Sequence, residues 1–379
     1  MASVVEKTIR RAVTPAVQAV ASINRARLPG PGENPFLRGI HTPMADELTL
    51  ANPTVTGAIP AELDGRYVRI GPNPFGKAGK GHHWFLGDGM VHGVRLKDGK
   101  AEWYRNRFIR SAELEGKGGP AAVGGPRRGF GDTVNTNVLD IGGKIMALVE
   151  ANSFPVELDG NLDSVAYSDF GGGLTGSFTA HPHQCPDTGE YHAICYEGPS
   201  QDTIRHVAMD RYGKVLRETE IAVKHGPSIH DCALTENFVV ILDLPVTFSM
   251  QALMSGHKFP YRWNRSHRAR VELLPRGGSN EDVVWHEVDP CYVFHVGNSF
   301  EDETGRVIID VCPYETIFDG EMPGPYGKPL GLERWTVDGQ GGKVVRDTLD
   351  TAGQEFPRPD ERYFTKAHRY LWAIGMPAD

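Results

Sequence analysis

Residues 90–109 read MVHGVRLKDGKAEWYRNRFI and residues 134–150 read VNTNVLDIGGKIMALVE. Each is two apolar runs of strand length joined by a two-residue turn, Asp98-Gly99 in the first and Gly142-Gly143 in the second. Asp-Gly and Gly-Gly supply the positive φ that a tight β-hairpin demands, so both stretches predict paired antiparallel strands. The same pattern recurs along the chain, with turns at Asp187-Thr188-Gly189, Arg211-Tyr212-Gly213, Asp302-Glu303-Thr304-Gly305 and Gly339-Gln340-Gly341-Gly342. Strand-like runs such as NFVVILDL and RVIIDVCP stand beside them. Hairpin after hairpin with almost no helix between them predicts an all-β protein, and at this length a β-propeller in preference to a doubled sandwich.

Composition agrees with that expectation. The chain has 379 residues with 45 glycines and 27 prolines spread along it, as many short strands and tight turns require. Forty per cent apolar and 23 per cent charged residues describe a globular protein with a sizeable core. No apolar run reaches the 18 to 20 residues of a spanning helix, and no secretory signal opens the chain, so a cytoplasmic protein is expected. A net charge of −8 argues against a nucleic-acid partner. Five cysteines without a CxxC pair indicate reduced thiols, not a disulfide framework or a zinc knuckle.

Residues 3–27 carry the one long helical periodicity, at Val5, Ile9, Val13, Val17, Val20 and Ile23, interrupted by Pro15. Five basic residues against Glu6 suit it to peripheral contact with an anionic membrane; a docking helix or frayed tail is the alternative. PGPGENPF (29–36) then breaks it, which divides the chain into an arm, 1–33, and a main body, 34–379. Two segments leave the hairpin rhythm: a glycine-rich loop at 116–132 and the Met-bearing, helically spaced stretch TFSMQALMSGHKFPYRW at 247–263.

Of the fifteen histidines, His41, His257, His267 and His286 sit among turn or surface residues, and the neighbours His82 and His83 would face opposite ways on a strand. His181, His230 and His295 differ. Each precedes or enters a hairpin, and their separations of 49 and 65 residues are about one propeller blade. Equivalent positions of successive blades meet at the axis, where they would bind a metal; separately packed core histidines are the alternative that spacing alone leaves open.

The strings NPFLRGIHTPMADELT (34–49), IPAELDGRYVRIGPNP (59–74), HHWFLGDGMVHGVRL (82–96), FTAHPHQCPDTGE (178–190), IHDCALTENFVVILDLPVTF (229–248), CYVFHVGNSFED (291–302) and GQEFPRPDERY (353–363) resemble, in order, the carotenoid cleavage oxygenase family. The resemblance implies a seven-bladed propeller capped by loops and short helices, with an axial non-haem Fe(II) held by four histidines. Three of these map onto His181, His230 and His295. It further implies supporting glutamates at Glu150, beside His230, and Glu355, beside His295, each accepting the far N–H of a ligand ring. The family's fourth histidine, in a Phe-His-Gly-like motif, has no counterpart here, and His368 aligns with an earlier segment. A last blade incomplete within residues 34–379 is therefore expected.

The family's substrates include carotenoids, apocarotenoids, retinoids and hydroxystilbenes, oxidised with O2. In the stilbene-cleaving branch a Lys precedes the first glutamate and acts with a Tyr on a phenolic hydroxyl. Tyr104 matches the Tyr, whereas Val149 stands at the Lys position. The expected reaction is thus cleavage of an internal double bond of a lipophilic polyene, carotenoid or apocarotenoid. Stilbene cleavage, retinoid-type isomerisation and a non-catalytic truncated propeller are the alternatives.

Overall fold

The computed structural model describes residues 4–129, 131–151, 153–198, 200–320, 324–339 and 341–376. Contacts divide the chain into two compact units, 23–178 in one and 1–22 with 179–379 in the other. The first holds two antiparallel four-stranded sheets. One orders β1 (Thr49–Ala51), β2 (Gly65–Pro72), β3 (Gly89–Lys97) and β4 (Lys100–Phe108) as β1-β4-β3-β2, and the other runs in sequence order through β5 (Asn137–Ile141), β6 (Lys144–Leu148), β7 (Val156–Leu158) and β8 (Ser164–Tyr167). The two diagnostic turns form as expected. Lys97 pairs with Lys100 across Asp98 and Gly99, both at positive φ (48° and 72°), and Ile141 pairs with Lys144 across Gly142 and Gly143 (63° and 82°). Positive φ at both central residues matches the twist of the flanking strands.

The second unit repeats the meander three times. Its first sheet comprises β9 (His183–Gln184), β10 (Tyr191–Cys195), β11 (Thr203–Met209) and β12 (Val215–Ala222). The next contains β13 (Cys232–Leu234) and β14 (Phe238–Asp243), then an inserted hairpin of β15 (Val246–Phe248) and β16 (Tyr261–Trp263), and returns with β17 (Arg270–Pro275) and β18 (Val284–Glu287). The third is built on β19 (Tyr292–Glu301) and β20 (Val307–Ile317), with β21 (Gly327–Pro329) along β20, followed by β22 (Leu332–Val337) and β24 (Val345–Asp350); the short β23 (Gly342–Lys343) pairs with β18. A final hairpin joins β25 (Gln354–Arg358) to β26 (Trp372–Gly375). Serial antiparallel meanders without a helical layer are the blades of a β-propeller, and that is the fold class of this chain.

Helix is scarce. α1 (Val4–Arg25) covers the expected N-terminal segment with Pro15 inside it, and the rest is α2 (Ala112–Gly116), α3 (Met250–Met254) and 3-10 turns. No described helix is long and apolar enough to cross a membrane. α3 occupies the Met-bearing excursion, with Ser249 capping it through the Ala252 N–H, and Met250 and Met254 on it are exposed. The core follows the apolar runs: Val239, Val240 and Ile241 of β14, Val307, Ile309 and Val311 of β20, and Trp335 of β22 are shut off from solvent. All five cysteines are buried free thiols.

Three histidines depart from the sequence reading. His267 and His286 are core residues: His267 Nε2 bonds Asp243 Oδ1 at 2.8 Å, and His286, on β18, bonds the Asp338 carbonyl. His83 is buried too and lies outside any strand, where it accepts the Phe85 N–H at the start of a 3-10 turn. Polarity suggested surface positions for the first two, but a buried imidazole is tolerated where a hydrogen bond offsets its desolvation, as the Asp243 carboxylate and the Asp338 carbonyl do here.

Candidate metal centre

The three singled-out histidines converge. His181 precedes β9, its N–H held by Thr179 Oγ1; His230 ends the loop into β13; His295 lies within β19. The β19–β20 register shifts between Val293 and Val296, an irregularity of the kind that re-aims a side chain, and His295 stands inside it. His230 Nε2 is 3.1 Å from His181 Nε2 and 3.3 Å from His295 Nε2. One nitrogen from each ring falls within a common 4.8 Å limit. Ligands at about 2.1 Å from one first-row metal stand roughly 3 to 3.5 Å apart, so the triangle fits such an ion.

The electrostatics fit as well. Burial, and then the adjacent His230 ring, hold the His181 imidazole well below its usual range, which keeps it in the neutral form that ligates. His295 Nδ1 bonds Glu355 Oε2 at 2.7 Å; a proton on Nδ1 leaves the Nε2 lone pair facing the other two rings. Glu355 is buried on β25, and its Oε2 also accepts the Phe356 N–H at 2.6 Å. Exchanging Glu355 for glutamine keeps an acceptor but removes its charge, and should weaken metal binding by about 10 to 100-fold in chelator competition. Unchanged affinity would make Glu355 a packing residue only.

The remaining expected site residues lie in the 23–178 unit. Val149 and Glu150 follow β6, Val149 buried and Glu150 half-buried. Tyr104, on β4, bonds His92 Nδ1 through its hydroxyl at 2.9 Å. Burial raises the Tyr104 phenol and, with Arg69, lowers His92 to about 4, so both are neutral at pH 7. His368 bonds Asp310 and Asn298.

Two features were missed in the sequence. Asp231 and His183 form a 2.7 Å pair beside the three rings, although the juxtapositions His-Pro-His and His-Asp were there to be read. Aromatic contacts also run outward from the cluster. Phe294 meets the His230 ring edge-on at 5.3 Å, then Phe318, Phe259, Tyr261 and Phe248 follow, ending on the β15–β16 hairpin that carries α3.

An all-β propeller with three convergent imidazoles defines a class: a protein with a candidate metal centre whose histidine donors could hold one ion and leave it open coordination positions. Residues 41–379 match the family model described as retinal pigment epithelial membrane protein. A carotenoid cleavage oxygenase of Mycobacterium tuberculosis is 39% identical over 390 residues, covering 91% of this chain and 78% of its own. A carotenoid 9,10(9',10')-cleavage dioxygenase 1 of Arabidopsis thaliana is 31% identical over 377 residues, with 89% and 69% covered. Among solved structures, a Pseudomonas brassicacearum lignostilbene dioxygenase superposes with a TM-score of 0.79 at 24% identity, over 92% of this chain and 78% of that one. The chain belongs to the carotenoid cleavage oxygenase family and is an oxygenase.

Proposed function

We propose that this chain is an Fe(II)-dependent dioxygenase that cleaves an internal C=C bond of a carotenoid or apocarotenoid into two carbonyl products. The observation carrying it is the triangle of ring nitrogens at 3.1 and 3.3 Å, backed by the Glu355 carboxylate. His181, His230 and His295 would hold the iron, which when bound supplies the redox chemistry that couples O2 to the alkene. Glu355 fixes the His295 ring and keeps its proton on Nδ1. Glu150 has a corresponding role by resemblance alone. The aromatic series from Phe294 to Phe248 offers polyene carbons stacking and apolar contact, with the Tyr261 hydroxyl as its one polar group. Val149 is an apolar residue where phenol recognition would need a cation, which favours the hydrocarbon substrate over a stilbene.

The test is product analysis of the iron-loaded protein under 18O2. An apocarotenoid should yield two aldehyde or ketone fragments bearing label, and a hydroxystilbene little. Efficient stilbene cleavage with apocarotenoids untouched would reverse the Val149 argument, and unlabelled isomerisation or ester-cleavage products would replace oxygenation altogether.

A further inference from the structure

His181, His230 and His295 sit on three segments far apart in sequence, so something must set their mutual spacing before a metal arrives. Next to His230 in the chain stands Asp231, 6% exposed. Its Oδ1 accepts from His183 Nε2 at 2.7 Å and from the Cys232 N–H at 2.8 Å, and its Oδ2 accepts the Val296 N–H at 2.8 Å. His183 is two residues past His181, Asp231 adjoins His230, and Val296 adjoins His295. One carboxylate therefore bonds all three ligand-bearing segments, a single layer away from the nitrogens. Burial alone would raise its pKa, but His183 and the other donors outweigh that and hold it far below the usual carboxylate range. His183, Cys232 and Val296, with Gly297 and Asn298, also line one small cavity.

We propose that Asp231 is a positioning residue: its carboxylate, through His183 and the Val296 amide, sets the spacing of the three histidines and so the geometry of the metal they hold. This rests on reading the cluster as a metal site. Glu355 orients one ring from the side. Asp231 touches none of the three rings by hydrogen bond and acts on the backbones that carry them. Charge-assisted bonds to a buried carboxylate are short and strong, which suits them to holding strands in register.

Asp231→Asn retains the shape, but an amide has one acceptor oxygen and a donor NH2, which must oppose either the Val296 N–H or the His183 N–H. Co(II) is the probe, because its visible bands report coordination geometry independently of turnover. The full-length wild-type protein should bind one Co(II) with a defined d–d spectrum; failure of that step alone defeats the metal-site reading, not the role of Asp231. Given wild-type binding, Asp231→Asn should lower Co(II) affinity by about 10 to 100-fold and shift or broaden the bands, with unchanged far-ultraviolet dichroism. His183→Leu should do the same, and His183→Gln, which restores a donor, should recover most of the affinity and the wild-type spectrum. A merely structural Asp231 would lower the melting temperature yet leave the bands of the folded fraction in place, and that result would overturn the proposal. So would two Co(II) per wild-type chain with the second lost in Cys232→Ser. His183, Asp231 and Cys232, which also fall within a common 4.8 Å limit, would then be a metal site themselves.

Discussion

Replacing His230 with alanine is expected to strip the site of its metal and take cleavage below about 1% of the wild-type rate. His230 is the shared member of the triangle, 3.1 Å from one neighbour and 3.3 Å from the other, so its loss leaves two imidazoles that no longer share a close partner. A four-ligand zinc site is worth roughly 10 to 16 kcal/mol, or about 3 to 4 kcal/mol per ligand. That is about a 100 to 1,000-fold loss in affinity per ligand. Fe(II) stands below zinc in intrinsic affinity, so occupancy falls from a weaker starting point. The fold should survive, because His230 lies in the loop before β13, outside the strand ladders, with its ring among those of His181, His295 and Phe294. Free imidazole at millimolar concentration should enter the vacated position and restore part of the binding. Full iron retention in the variant would show that the three nitrogens meet without serving as ligands.

Much of this was legible in the sequence because it is local. Asp98-Gly99 and Gly142-Gly143 encode their hairpins within a few residues, and the meander sheets follow from turns of that kind. The convergence of three histidines was legible for another reason: repetition of one blade places equivalent residues together, so sequence separations of 49 and 65 stand in for distance. What stayed hidden depends on partners far along the chain. His267 reads as a turn residue until Asp243, 24 positions earlier, is seen against it. Nothing near Asp231 in the sequence marks it as a junction, because Val296, 65 positions later, is what donates to its carboxylate. Helical spacing in 247–263 was real but brief, because β15 and β16 take the ends of that segment and leave α3 only Met250–Met254.

Asp310 is where the second large effect is expected, although it touches no ligand histidine. It is 2% exposed on β20, and Arg334 grips it with two nitrogens, at 2.8 and 2.7 Å. Burial would raise its pKa, yet Arg334 and His368 pull it below the ordinary range. His368 Nε2 lies 3.2 Å from its Oδ2, while His368 Nδ1 faces Asn298 Nδ2 at 3.0 Å. The same amide donates to the Tyr363 and Lys366 carbonyls, so this network ties the 359–371 connection of the last hairpin to β19 and β20. The first strand of that hairpin carries Glu355, the carboxylate on His295. Asp310→Ala leaves a guanidinium and a buried imidazole without their anion, a change that typically destabilises by about 3 to 5 kcal/mol. Arg334 keeps about a third of its side-chain exposure, so the lower figure is expected. The melting temperature should drop by several degrees, and metal affinity should fall with it as the tether to Glu355 loosens; Asp310→Asn, which still accepts from Arg334, should show a smaller form of both. Loss of stability with metal affinity intact would mean that β25 holds Glu355 in place unaided.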